Sequence, residues 1–130
     1  QKRFIRLAAG MTVLNFAIAF LLFPFAARYA VAPKLAASPL LRKDMEIAVV
    51  DYHEPSLAWY LRGRVKSWLV DIPAGEVENF MKKSGPRLCI LPSKIAAQLP
   101  VDPDWNVTTA RGFNISKGKP VELSMLIKSR

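Results

Sequence analysis

The sequence predicts an α/β protein: an N-terminal transmembrane helix, then a small, mostly parallel αβ domain in the order βαβαβαββ that closes with a C-terminal hairpin. Three observations predict it. Leu7 to Ala27 runs 21 residues without a charge. Beyond it, short apolar runs bounded by charges or turn residues alternate with segments of helical spacing. The last run places Val121, Leu123, Met125 and Ile127 at every second position, the period of a strand.

At about 1.5 Å per residue, the uncharged stretch matches the ~30 Å hydrocarbon core of a bilayer. Thr12 and Asn15 can bond within or between helices, and Gly10 suits close helix packing. Pro24 is expected to end or kink the helix. Tyr29 falls where an interfacial aromatic belongs, and Arg28 can snorkel. A core helix is rarely apolar on every face over such a length. A signal peptide fits the basic Lys2, Arg3 and Arg6, and Ala30-Val31-Ala32 resembles a cleavage site, but Pro33 directly after it opposes cleavage. Cations flank both ends of the span, so the positive-inside rule gives a near tie.

The chain therefore divides into residues 1–31, the span with its basic flank, residues 32–45, a juxtamembrane tether bearing Pro33 and Pro39, and residues 46–130, the soluble domain. The tether's cations lie where they can meet anionic lipid head groups, although most juxtamembrane cations are simply solvated. The chain opens on Gln1 and reads as part of something longer.

Within the domain, Glu46 to Asp51 is an apolar run bounded by charges, as in a buried strand. Glu54-Pro55 opens a helix, with proline where its missing N–H costs little, and Gly63 closes it. Val65 to Val70 reads as a second strand. Gly75 to Lys83 reads as an amphipathic helix, with Glu76 and Glu78 in its first turn and Lys82 and Lys83 in its last, complementing the helix dipole. Arg87 to Leu91 is the third strand, ended by Pro92. Ser93 is placed to cap a short helix through Leu99. Trp105 to Arg111 and Val121 to Lys128 complete the strands, joined by a polar, Gly-rich connection from Gly112 to Pro120.

Composition limits the chemistry. A single cysteine, Cys89, excludes an internal disulfide framework and a multi-cysteine zinc site, and mid-strand it reads as a buried apolar residue. A single histidine excludes a histidine-rich metal cluster. The formal charge is +9, but four of those surplus charges lie in the first 33 residues, around the span, and no aromatic–basic stripe follows, so nucleic-acid binding is not expected. His53-Glu54 begins like a zinc-protease helix, but Leu57 stands in place of the second histidine. Gly112 to Lys119 has the flavour of a phosphate loop, but its glycines are one residue too far apart and Pro120 follows the lysine. Asn106-Val107-Thr108 and Asn114-Ile115-Ser116 are formal glycosylation sequons, a pattern that often arises by chance. Trp59, Trp68 and Trp105 are dispersed, placed to pack or to line a surface groove.

The leading site candidate is the loop Asp51-Tyr52-His53-Glu54, at the carboxyl end of the first strand where open α/β sheets tend to place ligands. A histidine between two carboxylates can serve acid–base work. The plainer alternative is that Glu54 favours a helix N-terminus and His53 is merely exposed.

Two segments carry a family resemblance. Asp51-Tyr52-His53-Glu54-Pro55-Ser56-Leu57-Ala58-Trp59-Tyr60-Leu61 resembles an E-P-S-L-x-x-Y-L signature, and Gly112 to Leu123 resembles a G-x-N-x-S-K-G-x-x-x-(D/E)-L ending. In this order and separation they resemble the C-terminal region of bacterial multi-pass glycosyltransferases related to aminoarabinose transferase and protein O-mannosyltransferase. The chain departs from that pattern at Ile115, where an aromatic is common, and at Lys119-Pro120, where an Arg-Trp pair is common.

The resemblance implies an extracytoplasmic domain behind the last of several spans, in an inner-membrane enzyme that moves a sugar from a polyprenyl-phosphate donor to a lipid or protein acceptor. It places the essential acidic residues in a loop outside this chain, so no catalytic residue and no cofactor is expected here, and a divalent metal elsewhere in the enzyme is left open. The domain would cover the membrane-embedded site, with Tyr52, His53, Glu54, Lys117 and Lys119 as candidate acceptor or surface-loop contacts. The competing class is a single-span anchored α/β domain that binds a partner or small ligand without catalysis.

Overall fold

The computed structural model describes residues 2–22, 27–100 and 102–129. Helix α1 (Lys2–Ala17) runs on into a π-helical turn, Ile18–Leu22. From Arg3 to Leu21 this helix is long and apolar enough to cross a membrane, and none of it is buried against the rest of the chain. Phe4, Leu7, Leu14 and Phe20 all face outward, so α1 is not the core helix of this domain. Thr12 satisfies its hydroxyl inside the helix, donating to the Ala8 carbonyl at 3.0 Å. Pro24, expected to end or kink the span, lies outside the described residues.

Helix α2 (Val31–Ala36) follows. Its Val31, Ala32 and Leu35 are fully buried and join the core together with Met45. Part of the segment expected to be a tether is thus packed structure. A six-residue helix with Pro33 inside it has little stability of its own, and burial against the sheet supplies the rest.

The domain continues with β1 (Glu46–Val49), α3 (Pro55–Leu61), β2 (Val70–Asp71), a 3₁₀ turn (Ala74–Glu76), α4 (Val77–Lys82), β3 (Arg87–Pro92), α5 (Ser93–Ala96), β4 (Trp105–Asn114) and β5 (Lys119–Lys128). The five strands form one mixed sheet in the order β2-β1-β3-β5-β4. β1 lies parallel to β2 and to β3, whereas β5 lies antiparallel to β3 and to β4. The expectation of a mostly parallel sheet is corrected to one divided between the two modes. The long C-terminal hairpin causes this, because it inserts β5 beside β3 and leaves β4 at the edge.

Two apolar clusters sandwich the sheet. One packs α2 and α3 on Ile47, Val49, Leu88, Ile90, Leu123, Met125 and Ile127. The other packs α4 on Ala48, Val50, Cys89, Leu91 and Leu126, with Trp105 closing its rim. β5 therefore buries both faces, which its alternating sequence did not indicate.

Three further expectations change. Val65 to Leu69 is not strand: only Val70 and Asp71 pair, opposite Ala48 and Val49, while Val65 and Leu69 rest against the core from a loop. Ser93 does not cap α5; it is the first residue of that helix, and its hydroxyl accepts from Ser124 at 2.9 Å. The expected connection from Gly112 to Pro120 shrinks to residues 115–118, because Gly112, Phe113 and Asn114 belong to β4, and Lys119 and Pro120 to β5.

Gly112 shows why. Its Cα lies so close to the chain that leaves α1 that an added Cβ would stand 2.7 Å from Val31 Cα and 2.9 Å from the Tyr29 carbonyl oxygen. At the next position, the Phe113 N–H donates to the Tyr29 carbonyl at 2.8 Å, and Ala30 bridges Phe113 in parallel. Lys34 Nζ adds a bond to the Arg111 carbonyl at 2.8 Å. Glycine inside a strand here marks a close backbone approach, not a loop.

Candidate functional site

β1 delivers the chain to the carboxyl end of the parallel half of the sheet. Asp51 sits there at φ 50°, in the left-handed region that non-glycine residues seldom occupy. That turn sends Tyr52 inward and His53 outward, and Glu54 then precedes α3, with Pro55 at its first position.

Tyr52 and Glu54 are each only 5% exposed. The Tyr52 hydroxyl donates to Glu54 Oε2 in a short bond, and the Ser56 hydroxyl donates to Oε1 at 2.6 Å. Each carboxylate oxygen thus has a hydroxyl partner. Burial, and then the bond to Glu54 and its negative charge, push the Tyr52 phenol far above its ordinary range. Tyr52 is therefore a permanent donor and no base. This triad fixes the loop and the start of α3, and Leu57 and Leu61, both fully buried, anchor the helix.

His53 is about two-thirds exposed, and its Nδ1 lies 3.4 Å from Asp71 Oδ1. The expectation was a histidine set between Asp51 and Glu54; its carboxylate neighbour is instead Asp71 of β2. The parallel register opposes Val49 to Asp71 and brings the two together across about one strand spacing. A sequence search of neighbouring positions misses Asp71, and the β1-α3-β2 crossover is the signal that finds it.

A cavity of about 250 Å³ opens at this point, lined by Val49, Tyr52, His53, Glu54, Leu69 and Asp71 among others. It shares Ala58 and Leu69 with a second cavity of about 320 Å³, where Arg62, Lys66 and Trp68 stand. The two make one groove between α3 and the β2 edge. Trp68 is 80% exposed beside it, and the Arg62 guanidinium lies 5.4 Å over the Trp59 ring. The groove offers an imidazole–carboxylate pair at one end and cationic, aromatic side chains at the other.

The second signature builds the hairpin. Asn114 is buried, and its Oδ1 accepts from the Ser116 hydroxyl at 2.8 Å and from the Lys117 N–H at 2.9 Å. Gly118 completes the turn at φ 61°. Such burial leaves the Asn114 sequon unsuited to modification in the folded chain. Lys117 and Lys119 are exposed, Lys117 in the turn and Lys119 in β5. The structure does not join them to the Tyr52–Glu54 triad, although both groups lie at one end of the sheet. Pro92, the last residue of β3, pairs with Leu123, so residues 119–122 extend past the carboxyl ends of β1 and β3. Asn114 pairs with Lys119 at that same end, beside the Ala30 bridge.

Cys89 is fully buried on β3, and burial pushes its thiol up to about 12, as expected of a packed residue and not of a nucleophile. Among the described residues, no group of three or more His, Cys, Asp or Glu side chains could hold a metal ion. Fold and site together define a mixed α/β domain behind an apolar helix that can span a membrane. Comparison with protein-family models, curated proteins and solved structures found no match.

Proposed function

We propose that this chain is the C-terminal, extracytoplasmic part of an inner-membrane glycosyltransferase that moves a sugar from a polyprenyl-phosphate donor to a lipid or protein acceptor. The domain covers a membrane-embedded active site, and its exposed loop residues help to position the acceptor. One observation carries this reading: the loop that opens the first signature and the turn of the second both lie at the carboxyl end of β1 and β3, the end where Ala30 bridges Phe113. Residues facing that end are the ones that meet a substrate held at the membrane.

In this reading Tyr52, Ser56 and Glu54 shape the loop, while the exposed His53, Lys117 and Lys119 contact the acceptor. Lysine pairs readily with a phosphorylated head group.

The test is the intact mass of the native polypeptide, recovered from its source membranes with an antibody against this domain. A mass several-fold above 14.5 kDa is expected, and a mass near 14.5 kDa overturns the proposal. In the enzyme so recovered, charge reversal at Lys117 and Lys119 is expected to lower acceptor turnover, and unchanged turnover counts against the acceptor role. The groove between α3 and β2 favours the second reading, an anchored domain that binds a ligand without catalysis, and a native mass near 14.5 kDa would select it.

A further inference from the structure

The β4–β5 hairpin is fastened to the chain just after the span. Tyr29 is seven residues beyond Leu22, the last described residue of the apolar helix, and seven residues reach at most ~25 Å. Phe113 is bonded directly to Tyr29, so the base of the hairpin turn stays within about that reach of Leu22, and the tip lies only a few residues beyond it.

The tip has an unusual surface for a solvated turn. Phe113 is 39% and Ile115 53% exposed. From Gly112 to Val121 there is no acidic residue, while Lys117 and Lys119 are both exposed. The nearest acidic residue in the hairpin, Glu122, is already paired with Arg111 at 3.0 Å. Arg28 and Lys34, in the adjoining chain, are exposed as well. Apolar side chains that enter the interface, ringed by cations, are what an anionic head-group layer binds.

We infer that the hairpin tip, through Phe113, Ile115, Lys117 and Lys119, docks onto the anionic lipid head groups of the leaflet from which α1 emerges toward the domain, as a second membrane contact beside the span. This rests on α1 spanning a bilayer and not on the transferase reading, so either can fail alone. The docked hairpin fixes the tilt of the domain and turns the carboxyl end of the sheet toward the lipid surface.

The experiment uses the full chain reconstituted in vesicles, with Ile115→Cys in one preparation and Val107→Cys in another, each carrying an environment-sensitive fluorophore. Val107, 60% exposed, lies on β4 eight residues before Ile115, and buried Cys89 stays unlabelled in the folded protein. In vesicles containing anionic phospholipid, the label at 115 is expected to shift to the blue and resist an aqueous quencher, while the label at 107 stays fully quenched. Neutralising Lys117 or Lys119 to Gln should lower the docked-to-undocked ratio about fivefold for each lysine, the effect of losing one cation near the surface. Equal quenching at 115 and 107 overturns the proposal. So does shielding at 115 that is just as strong in purely zwitterionic vesicles.

Discussion

Two segments of this chain fold around a buried polar hub, and they do it with different chemistry. In Tyr52–Leu61 the hub is the carboxylate of Glu54, held by two side-chain hydroxyls beside a groove. In the hairpin the hub is the neutral amide of Asn114, held by one hydroxyl and one backbone N–H near an open tip. In both, the serine two residues on donates to the hub. The difference lies in what removal leaves behind. A buried charged acceptor costs far more to desolvate than a neutral one, so its partners must stay in place. The comparison teaches that the first motif is bound to the integrity of the core, whereas the second shapes a turn that can tolerate adjustment.

The largest expected effect falls on the hairpin side, away from its hub. Gly112→Val places a side chain against the backbone of Val31 and Tyr29 and is expected to cost about 3 kcal/mol, read as a lowered urea midpoint of the full chain in detergent. A loss within 0.5 kcal/mol, about that of a surface change, would show that α2 is not pinned there.

Next comes the charged hub. Glu54→Ala leaves the buried Tyr52 hydroxyl without its acceptor and is expected to cost about 2 kcal/mol, with Glu54→Gln recovering part of it. Asn114→Ala is expected to cost about 1 kcal/mol, because water can reach the groups it releases. Equal costs for the two alanine variants would break the comparison.

The last effect is one of pH and sets in only above pH 9. The Cys89 thiol, ordinarily near 9, titrates near 12 in the folded chain. Above pH 9 the unfolded chain gives up that proton and the folded chain keeps it. Stability is therefore intact below pH 9 and falls by about 1.4 kcal/mol per unit as pH rises toward 12. Tyr52, also raised, adds to the loss above pH 10. Denaturant midpoints at pH 8 and pH 10.5 should diverge less for Cys89→Ala than for the unaltered protein.

Much of this was legible in the sequence wherever local chemistry decides structure. Pro55 starts α3, Gly63 turns out of it at φ 76°, and the core of β1 and β3 follows from their apolar runs. What was not legible depends on contacts distant along the chain. Val31–Ala36 is too short and too interrupted to read as a helix until β4 and α3 are beside it. Val65 to Leu69 has strand composition but spends it on covering the core from a loop. Gly112 reads as punctuation because the backbone it accommodates lies about 80 residues earlier. At the candidate site, the loop at the end of β1 could be located in advance, but the partner of His53 comes from a separate strand and needs the sheet register to find it.

The bond from Phe113 to Tyr29 has one more consequence. With α1 in a membrane, this end of the sheet is held on a leash of at most ~25 Å, so its side chains meet the bilayer at an effective concentration on the order of millimolar. A contact too weak to register for a domain in free solution would then be occupied for much of the time.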